Sequence, residues 1–106
     1  MEGWAFHQNK IYVGSYEEFG YFSRNNKGAL KYTSLLSAHK KINVSKDEEY
    51  WQIILLGDAV VFRSFLNIHI YKNGKINSHN LSATIMSCDV INEKLYVSTL
   101  DNGIFV

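Results

Sequence analysis

The sequence of 106 residues contains no proline, only one cysteine and no long apolar segment. The single cysteine, Cys88, excludes an intrachain disulfide, so the fold must be held together by packing. The longest apolar runs, residues 53–56 and 59–62, are far shorter than the roughly 18 residues of a membrane-spanning helix. No apolar core of a signal peptide is visible near the first residue. Because proline is excluded from the middle of a sheet, its absence is typical of a chain made mostly of paired strands.

The chain also lacks an excess of charge of either sign. It has 11 Lys and Arg residues against 10 Asp and Glu residues, which gives a formal net charge of +1. This balance provides no basic surface for nucleic acid or for an anionic membrane, so neither is expected as a partner. What the chain does have is 14% aromatic residues, a proportion that favours strands over helices.

Short β-rich runs separated by turn residues fill most of the chain. The dipeptide Asn73-Gly74 is the strongest hairpin signal, because a type I′ turn requires positive φ at both central residues. Residues 37–49 are polar and predict a long surface loop, with at most one helical turn within 40–50. Strands are predicted at residues 10–15, 19–23, 30–35, 50–56, 59–65, 67–71, 75–79, 84–91, 94–99 and 103–106.

The strand pattern repeats along the chain. Alignment of Ile11 with Val60 gives an offset of 49 residues, and alignment of Val60 with Leu95 gives 35, for an average of 42. A β-propeller blade has four strands and about 40–45 residues. We therefore predict an all-β fold of about two and a half four-stranded antiparallel blades, an incomplete propeller. The alternative is a small β-sandwich whose internal similarity is a coincidence.

The prediction treats residues 1–106 as a single partial propeller domain. Strands 2–4 of one blade occupy about 10–35, a full blade about 50–79 and a partial blade about 84–106. The first strand of a blade is expected to be the most continuously buried, and the outermost strand the most polar. Because a propeller closes with about 4–8 blades, the partners expected are a second copy joined through exposed blade edges or the remaining blades of a larger protein.

Four segments of the sequence carry a resemblance to a known family. They are KIYVGSYEEFGYF, GALKYTSL, VVFRSFLNIHIYKNGKI and KLYVSTLDNGIFV, which together extend over most of the chain. These segments resemble the propeller-repeat sensor region of Bacteroides-type hybrid two-component system regulators. The resemblance is most specific at Tyr12-Val13-Gly14, in residues 18–22 and in residues 102–105.

The resemblance implies a periplasmic sensor of glycan breakdown products, although this chain shows no signal peptide of its own. It implies a non-catalytic role in signal transduction, with an oligosaccharide as a possible ligand of the full-length protein. The alternative is a protein–protein interaction or scaffold module without a small-molecule ligand. A piece of a propeller enzyme that acts on glycans is a third possibility. That enzyme would need an inward-facing pair of carboxylates, and the sequence places no such pair.

The residues with chemical potential do not form a catalytic or metal-binding pattern. The four histidines lie far apart, and His69 alternates with Ile68 and Ile70, so its side chain is predicted to point away from the apolar face. Cys88 lies among apolar residues and is predicted to be a buried thiol. No enzyme activity, metal or other cofactor is expected.

Four residues on or beside the connections between strands 2 and 3 are the candidates for ligand binding. In propellers these connections lie at the ligand-facing end. Aromatic rings together with a carboxylate and a guanidinium suit a sugar. The alternative is packing between blades, in which the arginine would donate to backbone carbonyls. The four candidates are Tyr16, Glu17, Arg63 and Phe65.

Overall fold

The protein folds into three antiparallel sheets that follow one another along the chain. The computed structural model describes residues 3–38, 48–80, 84–100 and 103–105. The first sheet contains β1 (Gly3–His7), β2 (Lys10–Ser15), β3 (Glu18–Arg24) and β4 (Leu30–Ser34). The second contains β5 (Gln52–Leu56), β6 (Ala59–Arg63), β7 (Asn67–Lys72) and β8 (Lys75–Asn80). The third contains β9 (Ile85–Ile91), β10 (Lys94–Thr99) and β11 (Ile104–Phe105).

The all-β prediction is confirmed, and the strands agree closely with the sequence pattern. In the described part of the chain the one helix is a single turn, α1 (Leu35–Ala38). The type I′ turn predicted at Asn73-Gly74 is confirmed, because the two residues have φ of 52° and 75° and join Lys72 directly opposite Lys75. Residues 39–47, which make up most of the predicted surface loop, lie outside the described residues.

Two other predictions about the strands are wrong. The first sheet has four strands, because β1 pairs with β2 along its whole length, whereas the sequence predicted only strands 2–4 there. The most continuously buried strand of the second sheet is β6, and not the first strand β5. The second strand lies inside its sheet and is covered on both faces, whereas a first strand has a neighbour on one side only.

In each sheet the first two strands are joined by a two-residue turn, which makes the three sheets directly comparable. The cross-strand pairs next to these turns occupy the same position in each sheet: His7 and Lys10, Leu56 and Ala59, Ile91 and Lys94. We call the face that carries this pair the forward face and the opposite face the backward face. Side chains alternate between the two faces along each strand.

The forward faces of the first and second sheets each pack against the backward face of the next sheet. On the forward face of the first sheet, Tyr12 lies 6.1 Å from Phe62 of the second sheet, measured between ring centroids. On the forward face of the second sheet, Val61 packs with Cys88 and Val97 of the third. We call each contact between two neighbouring sheets a junction, and each of the two junctions contains an apolar core. One contains Tyr12, Phe19, Leu35, Tyr50, Val60 and Phe62, and the other Val61, Ile68, Ile85, Cys88 and Val97.

The first strands of the three sheets lie side by side, since β5 contacts both β1 and β9. Two glycines of the first sheet, Gly3 and Gly14, permit this close approach. A Cβ atom added at Gly3 would meet the carbonyl oxygen of Trp51, and one added at Gly14 would meet that of Tyr50. The backbone of the second sheet therefore approaches the first sheet closely where the first sheet has no side chains.

Within the described residues there is no helix long and apolar enough to cross a membrane.

Candidate functional site

The four residues predicted to bind a ligand divide into two pairs. Tyr16 and Glu17 form the connection between β2 and β3, and both are exposed. The backbone N–H of Glu17 donates to the carbonyl oxygen of Glu48 at 2.6 Å, and Tyr16 forms a β-bridge with Glu49. This connection is therefore fixed to the segment that leads into the second sheet.

Arg63 lies inside the protein, with 1% of its surface exposed. Its guanidinium carbon is 3.9 Å from the ring centroid of Trp51, and its Nε donates to Oε1 of Gln52 at 2.6 Å. One terminal nitrogen donates to the carbonyl oxygens of Ser64 and Ile85, each at 3.3 Å. Because Ile85 begins the third sheet, Arg63 joins the second sheet to the third. These contacts favour the packing role over direct contact with a ligand.

Phe65 is exposed, and its ring centroid lies 5.9 Å from that of Trp51. Trp51 thus brings Arg63 and Phe65 together, which the sequence did not predict. The exposed ring of Phe65 and the exposed pair Tyr16 and Glu17 remain accessible at this end of the sheets. A ligand role for these three residues stays a prediction.

A groove lies at the opposite end of the sheets, between the forward face of the first sheet and the backward face of the second. Its volume is about 280 Å³. Hairpin turns of both sheets border it, so three separate parts of the chain build its wall. The lining residues are Gln8, Lys10, Tyr12, Asp58, Val60, Tyr71, Lys72, Asn73 and Gly74.

Two ammonium groups and one carboxylate define the charge of this groove. Lys10 and Lys72 outnumber Asp58, so the lining carries a net positive charge at neutral pH. The Nζ atom of Lys10 lies 4.6 Å from the centroid of the Tyr21 ring, which holds the ammonium beside an aromatic face. The lining therefore combines cations, amides and aromatic rings.

Two tyrosines line the groove between the sheets. Burial raises the pKa of Tyr12, and the neighbouring Tyr71 and Tyr21 raise it further. The pKa of Tyr71 is raised chiefly by burial and also by Tyr21. Both phenols therefore remain protonated at neutral pH and can donate or accept a hydrogen bond. In the sequence this site is indicated only by Lys10 and Tyr12, which lie two residues apart in β2 and therefore share one face of the strand.

His69 lies on the face of β7 opposite to Ile68 and Ile70, as predicted, but this face is covered too and the side chain is buried. It is 2% exposed, and its ring stacks on Phe19 with the centroids 5.2 Å apart. Its Nδ1 lies 2.7 Å from Oγ of Ser78, and its Nε2 lies 3.3 Å from the hydroxyl of Tyr50. The side chain is buried there because β7 belongs to the middle sheet, which is covered on both faces.

A network of buried hydrogen bonds holds the segment before β5 in place. Nδ2 of Asn67 donates to Oε1 of Glu48 at 2.9 Å, and Nδ2 of Asn80 donates to Oδ1 of Asn67 at 2.9 Å. Glu48 was predicted to lie in a surface loop, yet its side chain is buried. These hydrogen bonds explain how a carboxylate is accommodated at the junction of two sheets.

The remaining residues with chemical potential do not form a reactive site among the described residues. Cys88 is buried as predicted, and burial raises the pKa of its thiol, which keeps it protonated. Among the described residues no group of three His, Cys, Asp or Glu side chains could hold a metal ion. Of the four histidines, His39 lies outside the described residues.

The burial of His69 predicts a pH-dependent stability. Burial, and to a lesser degree His79, lowers the pKa of His69 to about 4, whereas in the unfolded chain it is about 6.5. The unfolded state therefore takes up a proton first as the pH falls, and the free energy of unfolding decreases from about pH 6.5 towards pH 4. We expect it to be about 2 kcal/mol lower at pH 5 than at pH 7 because of this residue.

Urea unfolding at the two pH values, at fixed protein concentration, measures this difference. His69→Asn should remove most of the pH dependence, because asparagine takes up no proton. His79→Asn is the matched control, since His79 is exposed, and it should retain most of the dependence. If the free energy of unfolding changed equally between pH 7 and pH 5 in the wild type and in His69→Asn, His69 would not cause the pH dependence.

Comparisons with known proteins identify no relative: no protein-family model, curated protein or solved structure matches this chain.

Proposed function

We propose that the chain is part of a β-propeller and serves as a non-catalytic ligand-recognition module. The proposal is supported by three consecutive sheets that pack forward face to backward face, with their first strands side by side. This is the relation that neighbouring propeller blades have. By resemblance, the full-length protein is a periplasmic sensor of a two-component system, and its ligand is an oligosaccharide.

The observation that carries the binding proposal is the groove between the first two sheets. Its volume suits one or two sugar units, and its amide and phenol groups provide hydrogen bonds to hydroxyls. Lys10 and Lys72 favour a ligand with carboxylate groups. We therefore propose an acidic oligosaccharide as the ligand, bound by the lysines and the tyrosines that line the groove.

Calorimetric titration with a trimer of galacturonic acid tests the proposal, with the neutral trisaccharide maltotriose for comparison. The acidic trimer should bind, and Lys10→Gln or Lys72→Gln should each weaken binding about tenfold, the loss expected for one charge-assisted hydrogen bond. Lys27→Gln is the matched control, because Lys27 lies exposed in the β3–β4 turn. Absence of binding, or equal weakening by Lys27→Gln, would contradict the proposal.

The second candidate is a protein-interaction module. It is favoured by two large aromatic side chains on β1, Trp4 and Phe6, which are 66% and 60% exposed. Large exposed apolar groups that share one face are typical of interaction surfaces. A chain that binds neither trisaccharide but forms a complex through this face would favour the second candidate.

A further inference from the structure

The charged side chains of the first sheet are divided between its two ends. Its described carboxylates, Glu17 and Glu18, lie where β2 is connected to β3. Its described cations all lie at the opposite end, which borders the groove, and they are Lys10, Arg24, Lys27 and Lys31. Although the net charge of the whole chain is only +1, this end of the first sheet is therefore positive and attracts acidic ligands.

Two of these lysines lie in one row on the forward face of the first sheet. Tyr12 of β2 pairs with Tyr21 of β3 on this face. Lys10 and Ser23 each lie two residues from that pair, so they share the forward face with it. Ser23 pairs in turn with Lys31 of β4. The row of Lys10, Ser23 and Lys31 thus crosses three neighbouring strands on the face that forms one wall of the groove.

This row continues the groove towards the outer strand of the first sheet. Lys10 lines the groove, whereas Ser23 and Lys31 lie beyond its lining residues. The Nζ atom of Lys10 lies 4.6 Å from the ring centroid of Tyr21, so the side chain extends from β2 towards β3. Lys31 is exposed on β4. A ligand that fills the groove and is longer than it therefore meets Ser23 and then Lys31.

The distance between the two lysines suits an acidic sugar chain. Neighbouring strands lie about 4.8 Å apart, so the strands that carry Lys10 and Lys31 are separated by about 10 Å. Each unit of an extended sugar chain advances by a length close to one strand spacing. Carboxylates on the first and third units of such a chain therefore match the two ammonium groups. The unit between them faces the hydroxyl of Ser23, which can donate or accept a hydrogen bond.

We propose that an acidic oligosaccharide lies across β2, β3 and β4, with the carboxylate of one unit on Lys10 and the carboxylate of the second unit after it on Lys31. The unit between them contacts Ser23. Each lysine donates a charge-assisted hydrogen bond to its carboxylate. The inference rests on the function proposed above and adds a second anion-binding position outside the groove. It also gives the site a preference for chains in which acidic units stand two units apart.

Calorimetric titration with the dimer and the trimer of galacturonic acid tests this arrangement. The trimer reaches both lysines, whereas the dimer in the groove reaches only Lys10 and Ser23. Lys31→Gln should therefore weaken binding of the trimer about tenfold and leave the affinity for the dimer unchanged. Lys10→Gln should weaken binding of both ligands. Lys31→Arg keeps the charge and should keep the affinity for the trimer. Lys27→Gln is the matched control, because Lys27 lies in the turn of the same hairpin but outside the row.

The same titrations separate this inference from the proposed function. If Lys10→Gln weakens binding of the trimer but Lys31→Gln does not, the groove binds the ligand and the position at Lys31 is overturned alone. An equal loss for dimer and trimer in Lys31→Gln also overturns that position, because the lysine would then act only through its general charge. If neither ligand binds the wild type, the proposed function is overturned and this inference with it.

Discussion

Gly14→Ala is expected to lower the free energy of unfolding by about 3 kcal/mol, at the upper end of the usual cost of overpacking. The added Cβ would meet the backbone carbonyl oxygen of Tyr50 and the Cδ1 atom of Ile53. A flexible side chain could move away from a new methyl group, but the backbone of residues 50–51 is fixed by the hydrogen bond from Tyr50 N–H to the carbonyl oxygen of Ser15 at 3.0 Å. The second sheet must therefore shift away from the first.

Thermal or urea unfolding at fixed protein concentration measures this loss. Gly74→Ala is the matched control, since Gly74 has φ of 75° but a Cβ added there would lie in open space. The control should cost about 1 kcal/mol, from its backbone conformation alone. If both variants lose the same stability, the close approach at Gly14 does not hold the two sheets together.

Arg63→Ala is also expected to lower the free energy of unfolding by about 3 kcal/mol, for a different reason. The substitution leaves a cavity beside Trp51 and removes the hydrogen-bond donors to Gln52 and to the carbonyl oxygens of Ser64 and Ile85. The second and third sheets lose a direct connection. Urea unfolding detects the loss as a lower midpoint.

Arg24→Ala provides the comparison for Arg63→Ala. Arg24 is exposed and donates one hydrogen bond, to the carbonyl oxygen of Gly28 at 2.7 Å. Its loss should cost well under about 1 kcal/mol, the usual range for surface contacts. If Arg63→Ala were as stable as the wild type, Arg63 would not stabilise the junction between the second and third sheets.

The strands could be predicted because their signals are local. Alternating apolar residues and two-residue turns placed β2 and β10 at their observed bounds, and Asn73-Gly74 set the register of β7 and β8. The first strand was missed because its sequence GWAFH begins before the repeat alignment does. Its pairing with β2 depends on a turn at Gln8-Asn9 that lacks glycine.

The side-chain environments were harder to predict because the middle sheet has no solvent-facing side. Alternation of polar and apolar residues indicates a sheet with one buried face. In the second sheet both faces are covered, so His69 is buried on the face that alternation assigns to solvent. The sequence also could not reveal the groove, because the residues that line it are brought together only when two sheets pack.

The strand order has a consequence for the way the chain folds. Every sheet pairs only strands that follow one another in the sequence. Short loops cost little conformational entropy to close, so each sheet can form without distant parts of the chain. Only the junctions between sheets require contacts across longer separations, such as that between Ser15 and Tyr50. We therefore expect the hairpins to form first, then the whole sheets, and the junctions last.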